Sequence, residues 1–360
     1  MQRGEPAMAV YAIWNNKGGV GKSYLTFQLA SEYAGVHPEK KVLVLDLCPQ
    51  ANASSIFLGG MPFGENRLTD IHRAKPRKTI SGYVEERIKS PYVSPHCGGE
   101  YITQIALHNE RIPENIYMVL GDEQLEMQSS RVSGAAFPGP QDAWRIVHLW
   151  IRDLIDDILQ YSWNNGDSCV FIDCNPSFSI YTELALAAAD RLLIPFSADG
   201  SSKRAVKAVL SLVYGVKREL GDAQSEFFLN SKRYRMELPK IYMYIGNRLT
   251  QMNKSSASAF KTVVNEIGEE IWSVWRSSPQ LFCVHPDSSP TPTSQKTFRD
   301  MFQYEVNDAN TASVVSGALG IPIASLTAGP KEIAGKSIIV NQSQLDKQVP
   351  NIRQLVRNIE

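Results

Sequence analysis

The sequence predicts an α/β fold in which a doubly wound, mostly parallel sheet is flanked by helices. Short apolar runs alternate with longer helical patterns, and most of the runs are continuously apolar, as strands buried on both faces require. The predicted strands are residues 10–14, 41–45, 116–120, 168–172, 191–195 and 240–245. The repeated order of strand, helix and strand favours βαβ units and therefore a parallel sheet.

Helices and loops account for the segments between these strands. Apolar side chains recur at helical spacing over residues 142–163 and again over residues 255–275. Residues 59–113 do not fit the alternation and predict an insertion of short helices and loops. Residues 277–294 are rich in Ser and Pro and predict a mobile loop. We therefore predict a single domain over residues 9–360 that contains both of these segments.

Composition limits the classes of protein to consider. The 360 residues are 43% hydrophobic and 21% charged, with a formal net charge of zero, so no overall field marks nucleic acid or membrane as the partner. Five irregularly spaced cysteines argue against a disulfide framework and favour a reducing compartment. No apolar stretch approaches the length that spans a bilayer, and no signal peptide is visible. We expect a cytoplasmic protein without a membrane partner.

The strongest functional signal is the glycine-rich segment at residues 15–23, Asn-Asn-Lys-Gly-Gly-Val-Gly-Lys-Ser. It follows a predicted strand and opens a helical run, which is the context of a phosphate-binding loop. Glycines let backbone N–H groups turn toward phosphate oxygens, and the helix N-terminus adds a partial positive charge. Lys22 is expected to reach the β- and γ-phosphates, and the Ser23 hydroxyl to ligate Mg²⁺. The residues predicted to bind the cofactor here are Gly18, Gly19, Val20, Gly21, Lys22, Ser23 and Tyr24.

An additional lysine indicates the family of this loop. Lys-Gly-Gly-Val-Gly-Lys-Ser at residues 17–23 resembles the deviant Walker A motif of the ParA/MinD ATPases, and the chain is most similar to the ParA type. The resemblance implies a P-loop NTPase fold that binds ATP and Mg²⁺. It also implies that Lys17 reaches the ATP of a second subunit, as an arginine finger does. A solvated lysine at the mouth of a loop is the alternative interpretation of Lys17.

Two further segments resemble the switch regions of that family. Asp46-Leu47-Cys48-Pro49-Gln50 is similar to Asp-x-Asp-Pro-Gln, with Cys48 in place of the second aspartate. A thiol is a weak hydrogen-bond partner and is largely neutral, so the resemblance implies hydrolysis that is weak, partner-stimulated, or dependent on Asp46 or Gln50. The segment of residues 169–177 resembles Walker B and the second switch region, and its Asp173 follows the strand predicted over residues 168–172, at the position where the family holds Mg²⁺. The implied catalytic residues are Lys17, Lys22 and Asp46, and the implied metal-site residues are Ser23, Asp46 and Asp173.

Three other residues near the predicted strand ends have competing interpretations. The family places an asparagine at the position of Asn247, where it bonds the adenine edge, and an amide both donates and accepts as adenine requires. An ordinary turn asparagine is the alternative. Cys48 and Cys174 follow strands that end near the expected phosphates. They form either a redox-sensitive pair or two small residues that fit beside a nucleotide.

Basic residues concentrate in one part of this neutral chain. Residues 201–260 hold eleven Lys and Arg against four Asp and Glu. Such clusters suit nonspecific contact with phosphates, and the resemblance implies nonspecific DNA binding by an ATP-bound dimer. A solvated face with salt bridges is the alternative. The candidate DNA-binding residues are Lys203, Arg204, Lys207, Lys217, Arg218, Lys232, Arg233 and Arg235.

The resemblance implies a ParA-like ATPase that dimerises with ATP, binds DNA and positions DNA or another cargo with a ParB-like partner. It would then be associated with the nucleoid. The alternative, motivated by Cys48, is a dimeric switch that hydrolyses ATP slowly or not at all and recruits a partner. An iron–sulfur reductase or metabolic enzyme of the P-loop class is disfavoured, since the cysteines supply no convincing cluster-ligand pattern. The apolar face of residues 351–360 predicts a terminal helix docked on the core rather than a membrane anchor.

Overall fold

The computed structural model describes residues 9–137, 139–197, 199–217, 223–249, 254–286 and 288–360. Side chains are described throughout these ranges except at residues 248, 249 and 254–260.

An eight-stranded sheet forms the centre of the molecule. Its strands are β1 (Val10–Ile13), β2 (Lys41–Asp46), β3 (Thr103–Gln104), β4 (Ile116–Val119), β5 (Ser168–Asp173), β6 (Arg191–Phe196), β7 (Lys240–Leu249) and β8 (Gln303–Asn307). They lie in the order β3-β4-β2-β5-β1-β6-β7-β8, and every pairing is parallel except that of β3 with β4. The predicted fold class is confirmed, and all six predicted strands are present.

Two sheet strands and a hairpin were not predicted. β3 has only two residues, and β8 carries polar Gln303, Glu305 and Asn307, so neither shows an apolar run. A separate antiparallel hairpin joins β9 (Gly329–Ile333) to β10 (Lys336–Val340).

Helices cover both faces of the sheet. They are α1 (Lys22–Val36), α2 (Asn52–Phe57), α3 (Phe63–Arg73), α4 (Ile80–Lys89), α5 (Gln124–Ala136), α6 (Ala143–His148), α7 (Trp150–Asp157), α8 (Ile180–Ala188), α9 (Ser202–Tyr214), α10 (Glu226–Arg233), α11 (Lys254–Ser277), α12 (Gln295–Phe302), α13 (Thr311–Leu319) and α14 (Gln342–Val356). The pattern predicted over residues 142–163 forms α6, α7 and a following π-helical turn over Ile158–Ser162.

Successive residues of each central strand face opposite sides, which divides the core in two. Val10 and Ala12 of β1 belong to the cluster covered by α4 to α12. Tyr11 and Ile13 belong to the cluster covered by α1, α2, α3, α13 and α14. A strand buried on both faces has to be apolar at every position, which explains the continuous apolar runs.

The two segments that interrupt the alternation both contribute to the core. Residues 59–113 contain α3, α4, β3 and two short 3₁₀ helices, and Ile80 and Val84 of α4 are fully buried. In the Ser- and Pro-rich segment, Phe282 is 4% exposed and packs with the rings of Phe298 and Phe302. A backbone bond from Cys283 to Ile241 fixes it beside β7. That the segment is mobile stays a prediction.

The C-terminal helix lies on the core, as predicted. Ile352, Leu355, Val356 and Ile359 are each at most 5% exposed and join the cluster beneath α1 and α14. The backbone of Glu360 also bonds the Tyr11 hydroxyl of β1. Within the described ranges, no helix combines the length and apolar character that crossing a bilayer requires.

Candidate functional site

Parallel pairing brings three strand ends to one edge of the sheet. β1 lies between β5 and β6, and Ile13 of β1 is paired with Asp173 of β5. Asp46 of β2 is paired with the same Asp173. The loop after β1 therefore lies beside two carboxylates, at the carboxyl ends of strands where doubly wound sheets bind ligands.

The glycine-rich loop has the backbone of an anion cradle. Gly19 and Gly21 have φ values of 77° and 79°, a left-handed conformation that side chains other than glycine adopt with strain. α1 starts at Lys22, and its N-cap Gly21 supplies no side-chain cap. The first N–H groups of α1 are thus left for a ligand, and the helix dipole favours an anion there.

Lys22 lies beneath this loop. Its Nζ donates to the carbonyl of Lys17 at 2.8 Å and to that of Asn15 at 3.4 Å, and the residue is 7% exposed. Burial lowers the pKa of Lys22, and the nearby Asp173 opposes that shift. An anionic ligand in the loop would supply the negative charge that the buried ammonium otherwise takes from Asp173 and backbone carbonyls.

Ser23 and Asp173 form a contact suited to a metal ion. The Ser23 hydroxyl donates to Asp173 Oδ2 at 2.7 Å, and Thr26 Oγ1 lies 3.4 Å from Asp173 Oδ1. A hydroxyl and carboxylates are the oxygen ligands that Mg²⁺ prefers. No cluster of three or more His, Cys, Asp and Glu able to hold a metal occurs in the described part of the chain. The Ser23 hydroxyl and the Asp173 carboxylate therefore fit an Mg²⁺ that takes its remaining ligands from outside the protein.

Asp46 is fully buried, and its carboxylate accepts three hydrogen bonds. It accepts bonds from the Ser54 N–H at 2.9 Å, the Ser54 hydroxyl at 2.8 Å and the Cys48 N–H at 3.1 Å. Burial raises the pKa of both Asp46 and Asp173, and the negative charge of Asp46 raises that of Asp173 further. A divalent cation beside the pair would offset both the burial and the repulsion.

The two cysteines of the site are buried, free thiols. Cys48 is 4% and Cys174 is 1% exposed. Burial and the carboxylates Asp46 and Asp173 raise the pKa of Cys48 to about 12, and burial raises that of Cys174 as well. Thiolates are the reactive form, so neutral thiols favour two small residues beside a ligand over a redox pair.

Lys17 is held by side chains of the same chain. Its Nζ donates to Ser197 at 3.0 Å and to Ser202 at 3.3 Å, and it forms an ion pair with Asp199. Partial burial raises the pKa of Asp199, but the bonds from Lys17, Ser197 and Ser201 outweigh it and hold that pKa well below its ordinary range. Lys17 therefore lies at the loop mouth, 23% exposed, and not in bulk solvent.

Asn247 joins the end of β7 to the loop. Its Nδ2 donates to the carbonyl of Val20 at 2.8 Å and lies 3.4 Å from that of Gly21. Asn247 is 1% exposed, and its Oδ1 accepts no bond from the described residues. The donor thus holds the loop in shape, and only the acceptor is left for a ligand.

Other predicted residues lie away from this centre. The Tyr24 hydroxyl bonds Gln348 of α14, so its side chain belongs to the core and only its backbone N–H belongs to the loop. Lys203 and Lys207 on α9 pair with Glu266 and Glu270 of α11 at 3.0 and 2.9 Å.

The remaining basic residues differ in their surroundings. Arg204, Lys217, Lys232, Arg233 and Arg235 are exposed, and Lys232 Nζ lies 4.8 Å from the centre of the Phe228 ring. Arg218 lies outside the described residues.

Sequence reasoning missed two residues that contact the site. Ser54 of α2, eight positions after Asp46, donates hydrogen bonds to its carboxylate. Ser55 is also a serine, so residue type alone could not show which of the two binds Asp46. Asp199 follows β6, and only its charge could have suggested a partner for Lys17.

Comparison with known proteins gives a family and a shared fold. The AAA domain family matches residues 8–225, more than half of the chain. A Pseudomonas putida KT2440 protein described as uncharacterized is 28% identical over 209 residues, which are 58% of this chain and 62% of that protein. The chain thus spans less than two thirds of the length of the relative it matches.

Two solved structures have similar architecture. One is the ATP complex of a Cyanothece McdA variant, which is 15% identical to this chain in sequence. The two structures superpose with a TM-score of 0.57, and the match covers 99% of each chain. A Borrelia burgdorferi B31 protein assigned to plasmid partition, bound to AMPPNP, is 15% identical, with a TM-score of 0.50 and 98% coverage of both chains. At such identities the likeness establishes the fold.

Proposed function

Because this chain belongs to the AAA domain family and shares the fold of the McdA and partition-protein structures, we propose that it is a P-loop ATPase of the ParA/MinD type that binds Mg-ATP and dimerises in response. The dimer would bind DNA nonspecifically and position DNA or another cargo with a ParB-like partner. One observation carries the proposal: the glycine loop, Lys22, Ser23 and Asp173 converge at the carboxyl edge of the sheet. The McdA complex with ATP and the partition protein with AMPPNP share this fold and support it.

The residues have distinct roles in nucleotide binding. Backbone N–H groups of the loop and the start of α1 bind phosphate oxygens, and Lys22 neutralises their charge. Ser23 and Asp173 would hold Mg²⁺, which when bound would polarise the phosphoryl group and offset its charge. Asp46, fixed by Ser54 and Cys48, is the candidate to orient a nucleophilic water.

Base selectivity rests on Asn247. Its free Oδ1 accepts from the amino group of adenine, whereas guanine offers a carbonyl at the same position. Asn247→Ala also removes the bonds to Val20 and Gly21, so it should weaken ATP binding by roughly tenfold or more, in line with loss of buried hydrogen bonds. Calorimetry with ATP and GTP tests this role: wild type should prefer ATP, and the variant should lose part of that preference.

The decisive experiment compares assembly in three nucleotide states. Sedimentation velocity of the full chain with Mg²⁺ should give monomers without nucleotide and with ADP, and dimers with ATP. Lys17→Ala is expected to keep ATP binding in calorimetry but lose the dimer, whereas Lys22→Ala should lose both. An ATP-bound wild type that stays monomeric at every concentration would remove the assembly part of the proposal and leave nucleotide binding intact.

Binding to DNA is tested separately. Fluorescence anisotropy with a duplex of arbitrary sequence should show tighter binding with ATP than with ADP, since two copies present more basic side chains than one. Equal affinity in the two nucleotide states would count against a nucleotide-controlled dimer on DNA.

Cys48 favours slow hydrolysis as a second candidate behaviour. The neutral thiol stands where the resemblance expects a carboxylate, so it orients water poorly. Cys48→Asp is expected to raise steady-state ATP turnover if the missing carboxylate limits the rate. Fast ATP-dependent turnover by wild type without any partner would exclude the non-hydrolysing switch.

A further inference from the structure

One cavity of the described structure lies beside the site and not in it. It has a volume of about 470 Å³ and opens between α2, α3 and α13. Pro49 and Gln50, which follow Asp46 after β2, line it together with Leu68 and His72 of α3. The helix α3 belongs to the segment of residues 59–113, to which the proposed function assigns no role.

Two exposed apolar side chains line this groove, and a third lies close to one of them in the chain. Met61 and Val314 line it and are 53% and 59% exposed, and Phe63, two residues from Met61, is 65% exposed. Large apolar side chains grouped on a surface mark contact with another protein or a membrane. The apolar surface extends outside the cavity, so a small molecule confined to the cavity would leave Phe63 uncovered.

The charge of the groove favours a basic occupant. Glu65 and Glu123 line it, and no Lys or Arg does so among the described residues. The basic residues of α3 are directed elsewhere, since Arg67 donates to the carbonyl of Leu58 and Arg73 pairs with Asp70. Two carboxylates beside apolar walls complement a segment that carries leucine-like side chains with Lys or Arg next to them.

A chain of hydrogen bonds connects the groove to Asp46. His72 Nε2 lies 2.9 Å from the carbonyl oxygen of Gly121, and the Gly121 N–H donates to Ser54 Oγ at 2.8 Å. Ser54 in turn binds the Asp46 carboxylate. An occupant that shifts α3 relative to α2 would therefore act on residues that hold Asp46.

We propose that this groove docks a basic amphipathic helix of a partner protein. Apolar side chains of the helix fill the space between Met61, Leu68 and Val314, and its cations pair with Glu65 and Glu123. Helix-in-groove recognition of this kind uses apolar anchors at helical spacing. The proposal deepens the proposed function, and it depends on that function only for the claim that the partner acts on a nucleotide switch.

The test uses the full chain without nucleotide, so that peptide binding can be measured even if the protein does not bind ATP. The probe is a fluorescent peptide of about 18 residues with Leu at helical spacing and Lys on its flanks. Its counterpart carries Glu in place of every Lys. Anisotropy should show saturable binding of the basic peptide only, and calorimetry with ATP measures nucleotide binding separately.

Matched variants separate the groove from general charge attraction. Glu65→Lys combined with Glu123→Lys should weaken binding of the basic peptide at least about tenfold, as expected when close complementary charges are reversed. Glu110→Lys with Glu114→Lys makes the same charge change at exposed positions outside the groove and should alter the affinity less than about twofold. Phe63→Ser should weaken binding, whereas Leu107→Ser, exposed by 79%, should not.

Three outcomes would overturn the proposal. Equal weakening by the two charge pairs would mean nonspecific attraction, and equal binding of the acidic peptide would mean that Glu65 and Glu123 do not select the occupant. Self-association of the free wild type that Phe63→Ser abolishes would show that a second copy covers the groove instead.

Discussion

At the scale of single residues, Lys17 is expected at a dimer interface, yet in this structure side chains of the same chain hold it. Its ammonium bonds Ser197 and Ser202 and pairs with Asp199, whose side chain is 49% exposed. An ion pair this exposed is screened by water and contributes little, about 0–1 kcal/mol. In the proposed dimer, releasing Lys17 from Asp199 toward the partner's phosphates would therefore cost little.

Asp199→Ala is predicted to favour the ATP-dependent dimer. Loss of the pair removes a competitor for Lys17, so the dimerisation constant should improve by roughly two- to fivefold, the equivalent of one exposed ion pair. Sedimentation velocity with ATP measures the shift. Asp142→Ala removes another exposed aspartate and should leave the constant unchanged, and identical behaviour of the two variants would contradict a holding role for Asp199.

At the scale of elements, the loop between β4 and α5 packs against Asp46 and Ala51, at the end of β2 and in the segment that follows it. Gly121 lies so close to Asp46 that an added Cβ would be 2.8 Å from the Asp46 Cγ and 2.9 Å from the Ala51 Cβ. Its neighbour Asp122 accepts bonds from Arg77 and Thr79 at the start of α4. The loop thus fixes β2, α2 and α4 relative to one another.

Gly121→Ala is predicted to destabilise the fold by about 1–3 kcal/mol, because the surrounding backbone has to move to admit the Cβ. Gly134→Ala is the matched control, since its Cβ would meet nothing within 4 Å in α5. That change should stabilise by about 0.5–1 kcal/mol, the helix preference of Ala over Gly. Urea unfolding measures both, and equal midpoints would contradict the close packing against Asp46.

The stability that Asp122 contributes is predicted to depend on pH. Burial raises its pKa, but the bonds from Arg77, Thr79 and the Gln124 N–H outweigh burial, with a further contribution from His72, so the pKa lies below its ordinary value. The stabilisation is therefore present above the unfolded value of about 3.9 and is lost as pH falls through the lower folded value.

Asp122→Asn tests this dependence. The variant should be about 1–3 kcal/mol less stable than wild type near neutral pH, as for loss of bonds to a charged acceptor. Urea unfolding over a pH series should show that the difference is constant above about pH 5 and shrinks below about pH 4. A difference that grows on acidification would reverse the sign of the effect.

At the scale of the whole molecule, the basic surface is smaller than the sequence count suggests. Glutamates of α11, just beyond the basic stretch of residues 201–260, pair with Lys203 and Lys207. The exposed cations Lys232, Arg233 and Arg235 lie at and after the end of α10, where no described acid pairs with them. DNA contact should therefore depend on the α10 end more than on α9.

Changing Lys232, Arg233 and Arg235 together to Ala is predicted to weaken ATP-dependent DNA binding. If each contacts one phosphate, the slope of log K against log salt should fall by about 0.9 per residue. Lys203→Ala with Lys207→Ala should change the slope much less, because their charges are already paired. Anisotropy at several salt concentrations measures both, and a larger effect of the second set would place DNA on α9 instead.

The sequence by itself predicted six of the eight sheet strands, their order along the chain and the glycine-rich loop that follows the first of them. Continuous apolar runs and the glycines at 18, 19 and 21 are local signals, because strand burial and loop curvature act on neighbouring residues. The C-terminal helix was predictable for the same reason, from the apolar face of residues 351–360.

Only the tertiary structure decided which distant side chains meet. Pairing of β2 with β5 sets Asp46 against Asp173, and Ser54, Asp199 and Gly121 join the site from other elements. No sequence pattern connects Lys17 to Asp199 or Lys203 to Glu266, since these contacts depend on the order of strands in the sheet and the packing of helices on it. The groove beside Asp46 likewise arises where α2 and α3 pack incompletely against α13, which is remote from both in sequence.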